Sequence, residues 1–190
     1  LIYGNRGSTY LKQGKWREAF NDFSQAIQMK PTSAESYDNL AIIKADYLHD
    51  FPGALTDSNL AIILNPDTPS FYYNRAGIYL QLNDLPQAIS NYNQALLVNQ
   101  VNSLQNNNFN LVAVYFNRGL SYYNLKKYQE AASDFMTVNS LNQNIGASHY
   151  FLGLAQINLK NSRACDSLQT SSNLNYSDAK LALEKFCSEK

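Results

Sequence analysis

The sequence predicts an all-α fold, a solenoid of helix-turn-helix repeats stacked along the chain. The first observation is a recurring motif, which reads "YGNRGSTYLKQG" near the start, "YYNRAGIYLQLN" from residue 72 and "FNRGLSYYNL" at 116–125. An enzyme needs its catalytic group once, so such recurrence indicates an architecture made of copies. The second observation is composition: 45% of the 190 residues are hydrophobic and 13% are aromatic, which is sufficient for a packed core.

The apolar residues of each copy follow the spacing of two helices in turn. Spacings of three and four residues place them on one face of a helix, and a polar stretch such as "KQGKW" supplies the turn between the two helices. In the first copy these residues are Tyr3, Gly7 and Tyr10 on one helix and Ala19, Phe23 and Ala26 on the next. Each copy is therefore predicted to be a helical hairpin.

The copies are expected to form a single domain over residues 1–190. We place them at about 2–33, 34–68, 69–102 and 112–145, with a degenerate fifth copy at 146–176. The second copy has one extra residue in its turn, "YLHDF". An insertion at 103–111 is expected to extend the preceding helix and then to form a polar loop. A capping helix at 177–188 is expected to cover the last copy with Leu181, Leu183 and Phe186.

One small residue stands at the same place in each of the four clear copies: Gly7, Ala41, Ala76 and Gly119. The two helices of a hairpin cross there, and a larger side chain would push them apart. Small residues at a helix crossing, with aromatic residues around them, resemble the tetratricopeptide repeat, a helix-turn-helix unit of about 34 residues. The resemblance covers residues 2–100 and 112–144 and implies a right-handed α-solenoid, which we expect to be a bacterial protein of several such repeats.

An asparagine precedes each small residue by two positions, and these are Asn5, Asn39, Asn74 and Asn117. In the family that the chain resembles, the first helices line a concave groove that binds peptides. Asparagine is a middling helix former, so its repetition on this stripe indicates another role. Stacked amides could hold the backbone of an extended peptide, or they could bond between neighbouring helices.

Aromatic side chains stand beside this asparagine row in the later copies, at Tyr73, Phe116, Tyr123 and Tyr150. A Tyr or Phe buries a large area at a small cost in entropy, so these residues are expected to grip side chains of a ligand. The corresponding early positions are Gly4 and Asp38, which confines the predicted aromatic patch to the C-terminal half. The alternative is that the patch packs under a neighbouring helix or the inserted loop.

An arginine follows the asparagine in three copies, at Arg6, Arg75 and Arg118. We expect its stem to pack between helices and its guanidinium group to bond a neighbouring carboxylate or carbonyl, with Asp22 and Asp134 as possible partners. An acidic ligand is the alternative. The acidic residues of the second helices are otherwise expected to be solvated positions on the outer face: Asp22, Glu130 and Asp134.

The two cysteines, Cys165 and Cys187, each lie 11 residues from Tyr176, in the turn between the last two helices. Equal distances from the turn of an antiparallel hairpin permit a disulfide, and the alternative is two buried thiols. A resemblance to bacterial repeat proteins that end in a similar cysteine-containing helix pair favours the disulfide. A bridged pair would indicate the periplasm or the outside of the cell, and free thiols the cytoplasm.

The sequence offers no catalytic constellation, and no cofactor or metal is expected. His49 and His149 are expected to be solvated or packed. With 15 basic and 15 acidic residues the formal net charge is zero, which speaks against nucleic acid as a partner, and no apolar run is long enough to span a membrane.

We therefore expect a non-catalytic scaffold that binds a protein or peptide in the concave groove. A second copy of the chain is a further possible partner. The alternatives are a structural segment of a longer repeat array and the substrate-recruiting arm of a multidomain protein.

Overall fold

A computed structural model describes residues 2–102 and 109–187 of the chain. All the regular secondary structure in this described part is helical, eleven α-helices and one π-helical turn. The contacts between residues divide the chain into two compact units, Leu1–Phe109 and Asn110–Lys190, where the sequence analysis expects a single domain. The boundary between the two units lies within the predicted insertion, residues 103–111.

The first unit contains three helical hairpins. They are formed by α1 (Ile2–Lys12) with α2 (Trp16–Met29), α3 (Ala34–Ile43) with α4 (Phe51–Leu64), and α5 (Pro69–Gln81) with α6 (Leu85–Val101). Each hairpin also packs on the next one through α2 and α3 or through α4 and α5. The core between them is therefore continuous along this unit, as expected for stacked repeats.

The extra residue of the second copy is taken up by a π-helical turn. The segment Lys44–Leu48 continues α3 as a π-helix, which holds one more residue per hydrogen-bonded turn than an α-helix does. His49 then ends the helix in the left-handed conformation, with φ at 54°. The stacked rings of Trp16 and Tyr47, 5.4 Å apart, pack this turn against α2.

Three helices begin at a residue that caps them. The side-chain oxygens of Asp50, Asp84 and Asn110 accept hydrogen bonds from the backbone N–H three residues later, over 3.0, 3.2 and 3.1 Å. Pro52 and Pro86 follow within the first turns of α4 and α6, where a missing N–H costs nothing. These caps fix the residue at which each of the three helices starts.

The four small residues predicted at the helix crossings are all buried: Gly7, Ala41, Ala76 and Gly119. Ala41 and Ala76 are 1% and 0% exposed. A Cβ atom on Gly7 would lie 3.0 Å from the ring of Phe23, and one on Gly119 would lie 3.0 Å from the ring of Phe135. Glycine at these two positions lets a large aromatic ring of the second helix pack directly on the backbone of the first.

The second unit contains two hairpins and a final helix. The hairpins are α7 (Leu111–Asn124) with α8 (Tyr128–Leu141) and α9 (Gly146–Asn158) with α10 (Ala164–Asn173), and α11 (Ser177–Cys187) packs on α10 and α9.

The predicted insertion lies largely outside the described residues, since 103–108 are not among them. The preceding helix α6 has 17 residues, compared with 14 in α2 and in α4, so it does run on towards the insertion. Leu111, which the sequence analysis places in the insertion, is the first residue of α7.

The final helix covers the last hairpin with different residues from those expected. Ala179 and Ala182 are 0% and 6% exposed, whereas Leu181 and Phe186 are 69% and 44% exposed. The expectation for these two large side chains was therefore wrong. Small residues face inward because α11 lies close to α10, to which a disulfide between Cys165 and Cys187 joins it with their Cα atoms 5.9 Å apart.

Candidate functional site

In the first unit, the first helices of the first two hairpins line a cavity of about 390 Å³. Its walls come mainly from α1 and α3, and they include the first two asparagines of the predicted row, Asn5 and Asn39. Ser8 and Ser36 add hydroxyl groups to the walls, and Phe23 contributes an apolar ring. The cavity thus combines several hydrogen-bonding groups with an apolar surface, and polar groups in a pocket are those that fix the orientation of a ligand.

The two asparagines of the cavity differ in how they are held. Asn5 is exposed on α1. The side-chain amide of Asn39 donates a hydrogen bond of 2.7 Å to the backbone oxygen of Glu35, one helical turn earlier. This bond orients the amide of Asn39, because it fixes which end of the group is the nitrogen.

Opposite charges flank the same cavity. Lys30, at the end of α2, and Glu35, in the first turn of α3, both contribute to its lining. Two opposite charges in one lining favour no net charge on a ligand as a whole, and each of them favours a ligand group of the opposite sign.

Asn74 lies apart from this cavity and bonds within the protein. Its side-chain nitrogen donates to Oδ2 of Asp38 over 2.8 Å and so connects α5 to α3. This is the contact between neighbouring helices that the sequence left open as an alternative for the asparagine row.

Asp38 is a buried acid whose burial was not predicted. From the sequence it was noted only as a position of an early copy that carries no aromatic side chain. It is 6% exposed, and among the described residues Oδ1 has no hydrogen-bond partner. Burial raises the pKa of Asp38 to about 7, the bond from Asn74 acts against this rise, and the nearby carboxylate of Glu35 adds to it. Asp38 therefore titrates near neutral pH.

Tyr73 is half-buried in the first unit. Its ring lies 5.8 Å from that of Tyr92 and meets the ring of Phe109 edge-on at 6.4 Å. Phe109 follows directly after residues 103–108, so Tyr73 packs beside the end of the insertion. The sequence analysis kept this arrangement as the alternative to ligand contact.

Three of the predicted site residues meet in the second unit around one ring. Phe116, Tyr123 and Tyr150 have ring centroids 6.3, 5.9 and 5.2 Å from that of Phe151. Phe151 in turn stacks on the buried ring of Phe135 at 5.8 Å. The aromatic patch is thus a half-buried cluster continuous with the core of this unit.

Phe151 was missed by the sequence analysis although the signal for it is present. It stands 34 residues after Asn117, so the fifth copy carries a phenylalanine where the others carry the asparagine. Extending the repeat spacing into the degenerate copy would have identified it. Asn117 itself is half-buried on α7, and its backbone oxygen accepts a bond of 2.8 Å from the hydroxyl of Ser121.

The two tyrosines of the cluster keep their protons at neutral pH. Burial raises the pKa of Tyr123, and Tyr128 and Tyr150 add to the rise while a hydrogen bond with Asn158 opposes it. Burial also raises the pKa of Tyr150, with Asp178 and Tyr176 contributing. Both phenol groups are therefore neutral donors and acceptors at the edge of an apolar cluster.

The recurring arginines bond acids of the second helices. Arg6 donates to Asp22 and Arg118 to Asp134, each through two bonds of 2.7 and 2.8 Å. Asp22 and Asp134 are 5% and 4% exposed, so the expectation that they are solvated was wrong, whereas Glu130 is exposed. The bond from Arg6 holds the pKa of Asp22 below its usual value, because it favours the charged form.

Within residues 2–102 and 109–187, no group of three or more His, Cys, Asp and Glu side chains could hold a metal ion. His49 is exposed in its turn, and the two ring nitrogens of His149 lie 3.2 Å from the side chain of Asn139 and from the backbone oxygen of Gln143. None of the helices in this same part of the chain is long and apolar enough to cross a membrane.

Two curated relatives show sequence similarity to the chain. Tetratricopeptide repeat protein 6 of Homo sapiens is 31% identical over 129 residues, which are 68% of this chain and 23% of that protein. The Hsp70-Hsp90 organizing protein of Triticum aestivum is 28% identical over 97 residues, which are 51% of this chain and 16% of that protein. The chain thus spans less than a quarter of the length of each of these relatives.

Solved structures show the same fold. The MamA protein has a TM-score of 0.74 at 17% identity, covering 94% of this chain and 93% of its own. YrrB, described as a tetratricopeptide repeat protein with an unusual peptide-binding site, has a TM-score of 0.76 at 15% identity, covering 96% and 90%. At these identities the likeness shows the fold, an all-α solenoid of helical hairpins.

Models of the tetratricopeptide repeat match the chain at residues 1–33, 69–102 and 112–145. Together these matches cover more than half of the chain, and each one coincides with a helical hairpin of the structure. The chain belongs to the tetratricopeptide repeat family.

Proposed function

We propose that this chain is a non-catalytic interaction scaffold that binds a peptide or an extended segment of a partner protein. The single observation that carries the proposal is the cavity in the first unit, because Asn5 and Asn39, one from each of two successive first helices, line its walls. A site built from equivalent residues of successive repeats suits a ligand that runs along the repeats.

The chemistry of the cavity fits an extended backbone. Such a backbone presents one N–H and one C=O per residue, and a side-chain amide can pair with either of them. Asn39 is already oriented by its bond to Glu35, so it loses little freedom when a ligand arrives. Lys30 and Glu35 would then select among ligands by charge.

A second contact area belongs to this proposal in the other unit. Asn117 lies next to Phe116 on α7, and Tyr123 and Tyr150 complete the half-buried aromatic cluster. Its exposed part would bury apolar or proline side chains of a partner. Tyr73 and Asn74 contact Tyr92 and Asp38 in the first unit, and we assign them a supporting role there.

The fold shared with YrrB, whose structure is described as having a peptide-binding site, supports a peptide as the ligand. The zero formal net charge supports a protein partner over nucleic acid. The chain spans less than a quarter of the human and wheat relatives, which supports the second candidate, a segment or recruiting arm of a longer protein.

A displayed library of random peptides tests the proposal. Peptides selected on the wild-type chain should bind the Asn5→Ala/Asn39→Ala variant about thirtyfold more weakly, since two hydrogen bonds of about 1 kcal/mol each are lost. The matched control is Asn21→Ala/Gln25→Ala, which removes two exposed amides of α2 that lie outside the cavity. Equal losses in both variants, or none in either, would contradict binding in this cavity.

A further inference from the structure

The three recurring arginines have the same position in their hairpins but different partners. In the first and fourth copies, Nε and Nη2 of Arg6 and of Arg118 donate two parallel bonds to one carboxylate, that of Asp22 or Asp134. The carboxylate stands 16 residues after the arginine in both. Each of these guanidinium groups is therefore neutralised by a carboxylate of its own hairpin.

In the third copy an uncharged residue replaces the carboxylate. Nε of Arg75 donates to Oδ1 of Asn91 over 2.7 Å, again with a separation of 16 residues. The amide of Asn91 is fixed in this orientation because its nitrogen donates to the backbone oxygen of Gln87 over 2.8 Å. A second amide oxygen, Oδ1 of Asn59 on α4, accepts from Nη1 over 2.6 Å. Both partners are neutral.

The positive charge of Arg75 consequently has no counter-ion in the part of the chain that the structure describes. Burial lowers the pKa of Arg75, and among residues 2–102 and 109–187 the groups that raise it are the phenols of Tyr79 and Tyr72. For Arg6 and Arg118, by contrast, a carboxylate contributes directly to the raised pKa.

The guanidinium group of Arg75 is also held in place with one edge available. Two amide oxygens bind Nε and Nη1, and the ring of Tyr72 covers the group with its centroid 5.7 Å away. Nη2, which bonds the carboxylate in the other two copies, makes no hydrogen bond to any described residue and is not completely buried. It belongs to the same guanidinium group that bonds the exposed side chain of Asn59 through Nη1.

We propose that Arg75 and Asn59 form a binding site for the side-chain carboxylate of an Asp or Glu residue of a partner protein. A carboxylate is the group that satisfies the same arginine in the first and fourth copies, and the planar fork of a guanidinium matches it with two bonds. The site lies among α4, α5 and α6 and shares no residue with the lining of the cavity that holds Asn5 and Asn39. It is thus a second point of contact, independent of the proposed peptide site.

Nuclear magnetic resonance of the arginine Nε–H groups tests this site, since Arg6 and Arg118 serve as internal references. The probes are a blocked tetraglutamate peptide and a blocked tetraglutamine peptide at constant ionic strength. The glutamate peptide should shift the Arg75 signal saturably and leave the Arg6 signal unchanged, and the glutamine peptide should shift neither.

Two variants exchange the partner of the arginine, carboxylate or amide, between the third and fourth copies. Asn91→Asp gives Arg75 the internal carboxylate of the first and fourth copies, and it should weaken the glutamate peptide about tenfold or more. Asp134→Asn makes the fourth copy resemble the third, and the Arg118 signal should then respond to the peptide. Asn59→Ala, on an exposed residue, should weaken the peptide at Arg75 while circular dichroism stays unchanged.

The proposal is overturned if the wild-type Arg75 signal shows no saturable shift, or if Asn91→Asp and Asn59→Ala both leave the shift intact. An equal response to the glutamine peptide would also overturn it. Tighter binding of inorganic phosphate than of the glutamate peptide would overturn the assignment to a carboxylate.

Discussion

Adding one methyl group at two glycines of first helices should change stability in opposite directions. Gly153 lies in α9 and Gly77 in α5, and both are helix-interior positions at which alanine is favoured over glycine by up to about 1 kcal/mol. They differ in their surroundings. A Cβ on Gly77 would have no atom within 4 Å, so Gly77→Ala should stabilise the protein by most of that amount.

At Gly153 the same methyl group meets buried atoms. Its Cβ would lie 2.7 Å from Cγ and 2.8 Å from Cδ2 of Leu168, and 3.2 Å from the backbone oxygen of Ala164. Leu168 is 0% exposed, so it has no free space into which to move. Overpacking costs roughly 1–3 kcal/mol, and two contacts below 3.0 Å with a fully buried side chain place Gly153→Ala in the upper part of that range, at about 2–3 kcal/mol. Less the gain of up to about 1 kcal/mol in helix propensity, a net loss of about 1–2 kcal/mol remains.

Urea unfolding followed by far-ultraviolet circular dichroism measures both variants against the wild type. We expect the midpoint to rise for Gly77→Ala and to fall for Gly153→Ala, with the two free energies of unfolding about 2–3 kcal/mol apart. Stacked repeats can unfold in parts, so the midpoint of each resolved transition is compared. A Gly153→Ala variant as stable as the wild type would refute the close helix crossing that the structure places there.

Two further predictions concern buried groups. Because the pKa of Asp38 is about 7 in the folded protein and 3.8 ordinarily, the folded state binds more protons between those values, and stability should fall as the pH rises from 4 to 8. Asp38→Asn should remove this loss of stability. At about 1.4 kcal/mol per pKa unit, the loss is at most roughly 4 kcal/mol. If the free energy of unfolding of the two proteins varied with pH in the same way, the burial of Asp38 would be contradicted. The disulfide joins residues 22 apart, so Cys165→Ser/Cys187→Ser should cost about 3 kcal/mol in the second unit, and treatment with a reductant should lower the wild type to the same urea midpoint. A wild-type midpoint unaffected by the reductant would show that the bond does not stabilise the fold.

Local regularities were readable from the sequence because each repeats at a fixed spacing. The hairpins, the small residues at the crossings and the bonding of Arg6 to Asp22 all depend on contacts within one copy, which the repeat length fixes. The asparagine row was found in the same way. The fifth copy departs from the pattern, because Phe151 stands where the other copies have an asparagine, and Phe151 was therefore not predicted as a site residue.

Side-chain environments depended instead on contacts between copies. The bond from Asn74 to Asp38 spans 36 residues and makes Asp38 a buried acid, which no property of either residue indicates alone. The inward face of α11 is another example, since the close approach to α10 brings Ala179 inside and leaves Leu181 outside. Which of several periodic apolar positions faces the neighbour is set by the docking of the two helices.

The sequence by itself determined that this protein is a stack of helical hairpins, because the period of its small and apolar residues permits no other regular structure. The tertiary structure decided which polar side chains remain available to a ligand. Asn5 lies open in a cavity, Asn74 is bound to Asp38, and Arg75 lacks the carboxylate that its counterparts have. Equivalent residues of a repeat differ in this way because availability depends on the neighbour across the interface, and the neighbour changes from copy to copy.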